Sequence, residues 1–541
     1  MKRTLIALAA VLMAAGCTAD PEAETGTGGC EPAFTGALSG WADAGFSGAL
    51  AIGDDCRAAF GLADGTAPNT DDTVFAIGSI SKAFTAAAVL DLADEGRFAL
   101  DDRAGDLLPG LEGPAAEATV EQLLLHTGGI EGAWGEDHRP LERDDAVAML
   151  SAMRSAFAPG TEFLYSNAGY SLLALIVDEA TGDYRAYLAE EILRVGGARI
   201  GGFWDGEPAA PGPRAVGTVD GAPAVQHGGF AGPHWALAGN GDLAMTAAEL
   251  GAWTRDLFTG EVISPKATDL LLDTAFDNGD GSVELPGWVS VGPDLFGAPV
   301  ITASGGGGDT GHNAVAAWLP ETGTSVAVVS NSEAVVAGEL VEAIAPALVS
   351  GEPIPAPEAA ATVDPAELEA REGVYTLDTG GAFHVAATAD GLEVAADGAD
   401  AVAAMFASSE YTVEDVAAHE ADVLALLDGE TATGREEREA IEGDLGAIGG
   451  VELAGTAVED GELRTYVQIS AAEEDVLGWY ALGEHGDVGA VSLGVEPPAF
   501  TLVPAGEGEY RPAGSAGAVL VSFEDDSLRV AGPAGTIEAR R

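Results

Sequence analysis

The chain has little positive charge. Its 541 residues include 23 lysines and arginines against 88 aspartates and glutamates, which gives a formal net charge of −65. Lysine itself occurs three times, at Lys2, Lys82 and Lys266. A field of this sign repels phosphate groups, so we expect neither nucleic acids nor anionic membrane surfaces as partners. Such acidity is typical of proteins from salty habitats, where screening relieves self-repulsion, and we therefore expect a halophilic protein.

Long apolar runs are also missing from most of the chain. A charged start over residues 1–3 and a short apolar stretch over 4–15 predict a secretory signal, too short to span a bilayer. The pentapeptide from Met13 to Cys17 resembles a bacterial lipobox, in which cleavage leaves Cys17 as a lipidated N-terminus. We expect an extracytoplasmic protein of the cell envelope, either lipid-anchored through Cys17 or free.

Cysteine is scarce, and this limits the chemistry available. In an oxidising compartment, the two cysteines after Cys17, which are Cys30 and Cys56, are candidates for a disulfide. The eight histidines show no His-Glu-x-x-His pattern and no Cys/His spacing typical of zinc, so we expect no metal site. Gly-x-Ser-x-Gly is absent as well, which argues against an α/β-hydrolase.

Composition changes along the chain predict its domains. A stretch of small and acidic residues follows the signal. Later, a Pro/Ala/Glu-rich stretch predicts an extended linker. After it, short alternating segments with Asp-Gly turns predict a region of β-strands. An acidic helical insert over 413–445 interrupts those strands. The predicted parts are a signal peptide with lipobox (1–17), a tether (18–31), a catalytic-type domain (32–350), a linker (351–365) and a β-rich accessory domain (366–541).

One short segment pairs a hydroxyl with an amine. It is Ser79-Ile80-Ser81-Lys82, at the start of a helix that the apolar pattern predicts over 83–95. Residues three apart lie on one helix face, so the Lys82 amine can reach Ser79 Oγ and accept its proton. The alternative interpretation is a solvated helix lysine beside an N-cap serine.

Three further segments support the first interpretation. They are His126-Thr127-Gly128-Gly129 after an apolar helix, Tyr165-Ser166-Asn167 between a turn and a helix start, and Ser304-Gly305-Gly306-Gly307-Gly308 after an apolar strand. In this order the four segments resemble the serine β-lactamase and penicillin-binding-protein superfamily, in particular its branch of class C β-lactamases, D-Ala-D-Ala carboxypeptidases and related esterases. The resemblance covers about residues 40–335.

The resemblance implies a fold and a set of roles. The fold is an α/β (α+β) arrangement with an antiparallel sheet flanked by helices, an all-helical lobe, and the site between them, here followed by the β-rich domain. Ser79 would be the nucleophile, Lys82 its proton partner, Tyr165 the general base or acid, and Asn167 a ligand of substrate and lysine. Without the resemblance, Tyr165 and Asn167 would be interpreted as a strand tyrosine and an N-cap asparagine. His126 would be structural, and no cofactor is implied.

The glycine segment departs from the family pattern. The position that carries Lys or His in most relatives falls on Gly305, or on Ser304 with a one-residue shift, and residues 304–308 contain no cation. Backbone N–H groups of Gly307 or Gly308 would complete an oxyanion hole with that of Ser79. A phosphate-binding loop is the rival interpretation, but no Gly-Lys-Ser/Thr follows.

The missing cation shapes the expected function. A site without it lacks a counter-charge for a substrate carboxylate, which favours neutral esters or amides over β-lactams and D-Ala-D-Ala peptides. We expect a secreted serine hydrolase that acts through an acyl-enzyme on a small-molecule or peptidoglycan-like substrate. The alternative is a weak or inactive envelope protein that binds peptidoglycan fragments or another partner.

Overall fold

The chain divides into two compact units after Pro355, inside the predicted linker. The computed structural model describes residues 26–28, 30, 32–131, 134–135, 140–204, 206–219, 222–224, 234–279, 281–293, 299–307, 310–332, 335–351, 353–355, 357, 365–388, 391–406, 411–429, 432–459, 462–472, 475–483, 488–506, 508–512, 519–524, 526–532 and 535–541. The predicted signal and Cys17 therefore lie outside the described residues. No helix among those described is long and apolar enough to cross a membrane.

The first unit is built on an antiparallel sheet. The strands of this unit, in all its sheets, are β1 (Gly26–Gly28), β2 (Gly48–Ile52), β3 (Cys56–Phe60), β4 (Phe75–Ala76), β5 (Ile130–Glu131), β6 (Arg154–Ser155), β7 (Arg194–Val195), β8 (Ala198–Arg199), β9 (Gly202–Phe203), β10 (Thr218–Val219), β11 (Ala222–Pro223), β12 (Leu243–Met245), β13 (Phe276–Asp277), β14 (Ser282–Leu285), β15 (Trp288–Val291), β16 (Val300–Gly307), β17 (His312–Leu319) and β18 (Thr324–Ser330). The main sheet has the order β1-β3-β2-β18-β17-β16-β15-β14-β13, and β4-β12-β9 form a small second sheet.

Helices cover both faces of this sheet. They are α1 (Pro32–Asp43), α2 (Ser81–Asp94), α3 (Ala104–Leu107), α4 (Val120–Leu124), α5 (Arg143–Ala152), α6 (Asn167–Thr181), α7 (Tyr184–Tyr187), α8 (Ala247–Phe258), α9 (Pro265–Asp273) and α10 (Ala337–Ser350). On one face, α1 and α10 bury Leu38 and Ile344 against the strands. On the other, α8 buries Leu250 and Trp253. The remaining helices form the helical lobe, where α2 packs against α6 and α9.

Helix α2 lies in the centre of this unit. A 3₁₀ turn, Gly78–Ile80, leads directly into it, so the helix begins two residues earlier than predicted. The predicted apolar face of Phe84, Ala87, Ala88 and Leu92 is buried, but so is every other residue over 81–90. Its many alanines allow neighbouring elements to approach on all sides, which is why the helix is not amphipathic.

The N-terminal edge of the fold begins earlier than the predicted tether suggested. Gly26–Gly28 pairs antiparallel with Cys56–Phe60 as the edge strand of the main sheet. The structure joins Cys30 to Cys56 in a disulfide. The strand pairing and the disulfide both attach to β3, so Gly26–Gly28 and Cys30 belong to the folded unit.

The second unit is rich in β-structure, as predicted. Its strands are β19 (Gly373–Leu377), β20 (Ala382–Ala387), β21 (Leu392–Asp397), β22 (Ile448–Glu459), β23 (Glu462–Ala471), β24 (Asp475–Leu482), β25 (Val488–Leu493), β26 (Ala499–Gly506), β27 (Glu509–Pro512), β28 (Leu520–Glu524), β29 (Ser527–Gly532) and β30 (Gly535–Arg540). Strands β19–β21 and β26–β30 close into a barrel, while β22–β25 form a separate sheet. The helices are α11 (Pro365–Glu369), α12 (Ala399–Met405), α13 (Val413–Leu427) and α14 (Ala432–Leu445), the last two being the predicted acidic insert.

Candidate active site

Ser79 lies where the small sheet meets the helical lobe. It is the middle residue of the 3₁₀ turn between β4 and α2. Gly78 before it has φ +51°, and a Cβ there would lie 2.9 Å from the Gly306 carbonyl oxygen. A side chain at Gly78 would therefore be strained and would collide with β16. This glycine lets the nucleophile turn pack directly on the glycine strand.

The Lys82 amine lies beside the Ser79 hydroxyl. Its Nζ is 3.0 Å from Ser79 Oγ, 2.8 Å from Asn167 Oδ1 and 3.2 Å from the carbonyl oxygen of Asn240. The residue is only 3% exposed, so the interpretation as a solvated lysine is wrong. Burial removes the water that would solvate the ammonium and lowers the pKa of Lys82 from 10.5 to about 7. A large fraction of the amine is then neutral near neutral pH and able to accept a proton.

Tyr165 approaches Ser79 from the segment that precedes α6. Its hydroxyl donates to Ser79 Oγ at 2.8 Å, and its ring centroid lies 4.6 Å from Lys82 Nζ. The residue is half exposed, so the phenol lies at the surface of the site. Burial of the hydroxyl region nevertheless raises the pKa of Tyr165 above its usual value, which keeps the phenol protonated. The structure therefore favours a proton donor over a phenolate base at this position.

Asn167 is the first residue of α6 and not its cap. Ser166 takes that role, since its side chain accepts the Gly169 N–H at 3.1 Å. The Asn167 amide oxygen is thereby free to accept from Lys82. The alternative interpretation as an N-cap asparagine is wrong for this reason.

Through Gly305 and Gly306, the glycine strand packs against the segment that carries Ser79. A Cβ on Gly305 would lie 2.0 Å from the Ile77 carbonyl oxygen and 2.9 Å from the Ser79 nitrogen. No cation fits at Gly305, so the predicted cation position cannot carry one. Gly307 ends β16 opposite His312, and Gly308 lies outside the described residues. The main chain of Gly305 and the carbonyl group of Gly306 approach the turn that carries Ser79. The oxyanion role of the Gly307 or Gly308 N–H group stays a prediction.

Two buried polar residues near the site, Asn240 and Glu284, are not among the site residues that the sequence predicts. The Asn240 carbonyl binds Lys82, and its side chain donates to Ser171 Oγ at 2.8 Å and to the Ala236 carbonyl at 2.7 Å. Glu284 on β14 is 5% exposed, and burial raises its pKa to about 8. The charge of Glu284 contributes to the raised pKa of Tyr165. A main-chain carbonyl can come from any residue type, so the sequence does not reveal this acceptor. One glutamate among 88 acidic residues does not stand out either.

His312 connects the glycine strand to the nucleophile segment. Its Nδ1 accepts the Ala76 N–H at 2.9 Å, which links β17 to β4 three residues before Ser79. The imidazole also packs edge-on against Phe75 and Trp204. This contact fixes β17 relative to the segment that leads into the turn of Ser79.

Comparisons with known proteins agree with this geometry. Over 175 residues the chain is 33% identical to Esterase EstB of Burkholderia gladioli. The aligned segment covers 28% of this chain and 44% of the esterase. Over 121 residues it is 36% identical to Penicillin-binding protein 4 of Amycolatopsis lactamdurans, covering 21% and 31% of the two chains. The matched segments thus span less than half the length of these relatives.

The fold is shared over a longer range. The structure of the octameric penicillin-binding protein homologue from Pyrococcus abyssi superposes with a TM-score of 0.53 and 18% identity, covering 94% of this chain and 99% of that one. At this identity the likeness shows the fold alone, and it confirms the predicted architecture. The sequence profile described as Beta-lactamase matches residues 40–349, more than half of the chain. The chain belongs to the beta-lactamase family of serine hydrolases and penicillin-binding proteins.

Proposed function

We propose that the protein hydrolyses neutral esters or amides through an acyl-enzyme on Ser79. The observation that carries this proposal is the convergence of Lys82 Nζ, at 3.0 Å, and the Tyr165 hydroxyl, at 2.8 Å, on one serine oxygen. An isolated serine hydroxyl is a weak nucleophile and needs a neighbouring base. A buried amine with a pKa near 7 meets that need, because its neutral form is abundant at physiological pH.

The residues divide the chemistry between them. Ser79 Oγ attacks the substrate carbonyl carbon while its proton passes to neutral Lys82. Tyr165, still protonated, delivers a proton to the leaving alcohol or amine and is reprotonated from Lys82. Water then attacks the acyl carbon, one of its protons returns to Ser79 through the same groups, and the acid departs. The Ser79 N–H beside Gly305 supports charge on the carbonyl oxygen.

The glycine strand supports neutral substrates. Residues 304–308 carry no cation, and the contact of Gly305 with Ile77 leaves no room for a side chain there. A carboxylate on the substrate would therefore have no counter-charge from this strand. The similarity to an esterase supports the same class of substrate.

A serine-directed fluorophosphonate probe tests the nucleophile. We expect covalent labelling of the parent and its loss in Ser79→Ala. Ser81→Ala is the matched control, because Ser81 is two residues away and its hydroxyl accepts the Leu243 N–H at 3.1 Å inside the fold. Labelling that survives in Ser79→Ala would refute the assignment. A parent that no such probe labels would support the alternative of a binding protein.

A substrate panel then tests the class. Short acyl esters should be hydrolysed faster than a D-amino-acid amide, and both faster than a chromogenic cephalosporin or a D-Ala-D-Ala peptide. A preference for the carboxylate-bearing substrates would contradict the argument from the glycine strand.

We also propose that the protein works outside the cytoplasm as a lipoprotein. The support is the N-terminal segment, whose charged start, apolar stretch and Cys17 follow the order of a lipoprotein signal. Metabolic labelling with a palmitate analogue should mark the parent and not Cys17→Ser. A mature protein that retains its first residues would contradict the proposal.

A further inference from the structure

His126 has a backbone conformation that is rare for its residue type. Its φ is +55°, and among the residues that the structure describes it alone combines a positive φ with a side chain. Left-handed backbone is unfavourable for residues with a Cβ and persists where surrounding contacts determine it. His126 is also 3% exposed. An outlier of this kind, buried beside a candidate catalytic group, calls for a physical reason.

The contacts of His126 bracket Tyr165 on both sides. Its carbonyl oxygen accepts the Leu164 N–H at 2.9 Å. Its ring Nδ1 accepts the Ser166 N–H at 3.0 Å. One residue thus holds the backbone immediately before and immediately after the tyrosine. With this left-handed backbone, both the ring and the carbonyl of His126 face the segment that carries Tyr165.

The imidazole also supports the phenol ring directly. The ring centroids of His126 and Tyr165 lie 4.5 Å apart with the planes tilted by 30°. Tyr170 packs on His126 as well, with centroids 5.0 Å apart, and its own hydroxyl is fixed by donating to the Leu124 carbonyl at 2.8 Å. The phenol of Tyr165 therefore rests on a ring that is itself held in place.

The imidazole has one protonation state in this setting. Because Nδ1 accepts a hydrogen bond, the ring is neutral with its proton on Nε2. Burial and the nearby charge of Lys82 lower the pKa of His126 to about 3. Within the described part of the chain, the other titratable groups packed against the ring are Tyr165 and Tyr170, which remain protonated because their pKa values are raised. The support under Tyr165 is thus constant over the pH range in which Lys82 titrates.

We propose that His126 is a positioning residue whose carbonyl, ring nitrogen and ring face together hold the Tyr165 hydroxyl against Ser79 Oγ. It rests on the proposed function, since it acts through the proton donor of that reaction. A histidine that only filled space in the core would affect stability without a specific link to Tyr165. The two roles are separated by asking whether the effect of a His126 variant depends on the Tyr165 hydroxyl.

A double-mutant cycle makes that separation. His126→Leu removes the nitrogen acceptor, and we expect kcat to fall roughly 10- to 100-fold with little change in KM, because a displaced phenol misdirects the proton. His126→Asn tolerates a left-handed backbone and offers an amide oxygen to Ser166, so it should restore most of kcat. In a Tyr165→Phe background, neither variant should lower kcat further.

Several outcomes overturn the proposal. A His126→Leu variant with kcat within about threefold of the parent shows that Tyr165 needs no such support. Losses that multiply in the Tyr165→Phe background show that His126 acts elsewhere. His419→Leu is the matched control, because His419 Nε2 also accepts a backbone N–H, from Leu482 at 3.2 Å in the second unit. Its kcat should equal that of the parent.

A second measurement does not depend on activity or on a folded variant. In the parent labelled with ¹⁵N-histidine, the His126 resonances should report the Nε2–H tautomer with no titration between about pH 5 and 9. A protonated ring near pH 6.5, or the Nδ1–H tautomer, overturns the proposal. If no phosphonate probe labels Ser79, the proposed function has failed, while this measurement still decides whether His126 holds the Ser166 N–H.

Discussion

If neutral Lys82 accepts the Ser79 proton, the rate should follow the titration of its amine. Burial lowers the pKa of Lys82 from 10.5 to about 7. At pH 7 about half of the amine is then neutral, against roughly 0.03% for an ordinary lysine. The difference corresponds to about three powers of ten in the concentration of active base. A perturbation of this size is measurable without any mutation.

The expected profile has a defined sign. Deprotonation activates the base, so kcat/KM for a neutral ester should rise about tenfold per pH unit below 7 and level off above it. The raised pKa of Tyr165 keeps its phenol protonated across this range, so no fall should appear before strongly alkaline pH. Initial rates from about pH 5 to 9, with the uncatalysed hydrolysis subtracted, give the curve.

Two variants make the assignment specific. Lys82→Arg keeps a positive charge that does not titrate, so kcat/KM should fall by roughly 10² to 10⁴-fold and lose its pH dependence. Lys266→Arg is the control, because Lys266 is exposed and pairs with Asp94 at the surface, and it should keep the parent profile. A midpoint above about pH 9 in the parent, or a Lys82→Arg variant within about tenfold of it, would refute the reasoning.

Three more predictions follow from the same structure. Gly305→Ala should abolish activity, since its Cβ would lie 2.0 Å from a backbone oxygen, while Gly306→Ala, whose Cβ meets nothing within 4 Å, should stay within about tenfold of the parent; similar activity of the two would contradict the packing. Burial raises the pKa of Glu284 from 4.5 to about 8, so between these values the unfolded chain releases a proton that the fold retains, and stability falls as pH rises. Glu284→Gln should therefore gain melting temperature over the parent as pH increases, and a constant difference would sink the argument. With a net charge of −65, the parent should melt higher in about 2 M than in 0.05 M chloride, and a flat melting temperature would remove the halophilic interpretation.

The part of the site that the sequence predicts is the local part. Ser79 and Lys82 are three residues apart, so the geometry of a helical turn alone brings their side chains together. The structure adds the 3₁₀ turn before α2 without changing that relation. Only the family resemblance places Tyr165 and Asn167 in the site, because nothing in their own segment indicates that it packs against the turn of Ser79.

The remainder of the site depends on tertiary contacts that leave no pattern in the sequence. The Asn240 carbonyl contributes through its main chain, so any residue type would supply the same atom. The register of the glycine strand depends on where β16 meets Ile77 and Ser79, and five consecutive small residues over 304–308 give no means of choosing it. For the same reason the sequence does not identify Gly305 and Gly306 as the residues that approach the turn of Ser79.

Burial of Lys82 explains why the site is assembled from distant segments. Lowering the pKa of Lys82 from 10.5 to about 7 corresponds to roughly 5 kcal/mol against the charged amine. Three acceptors partly offset that cost, and they come from the nucleophile turn, the start of α6 and the Asn240 carbonyl. Removing any one of them leaves a buried donor without its partner, which penalises the amine further. The burial that lowers the pKa of Lys82 therefore requires all three segments to be in place. In the proposed function, this couples the reactivity of Ser79 to the integrity of the helical lobe.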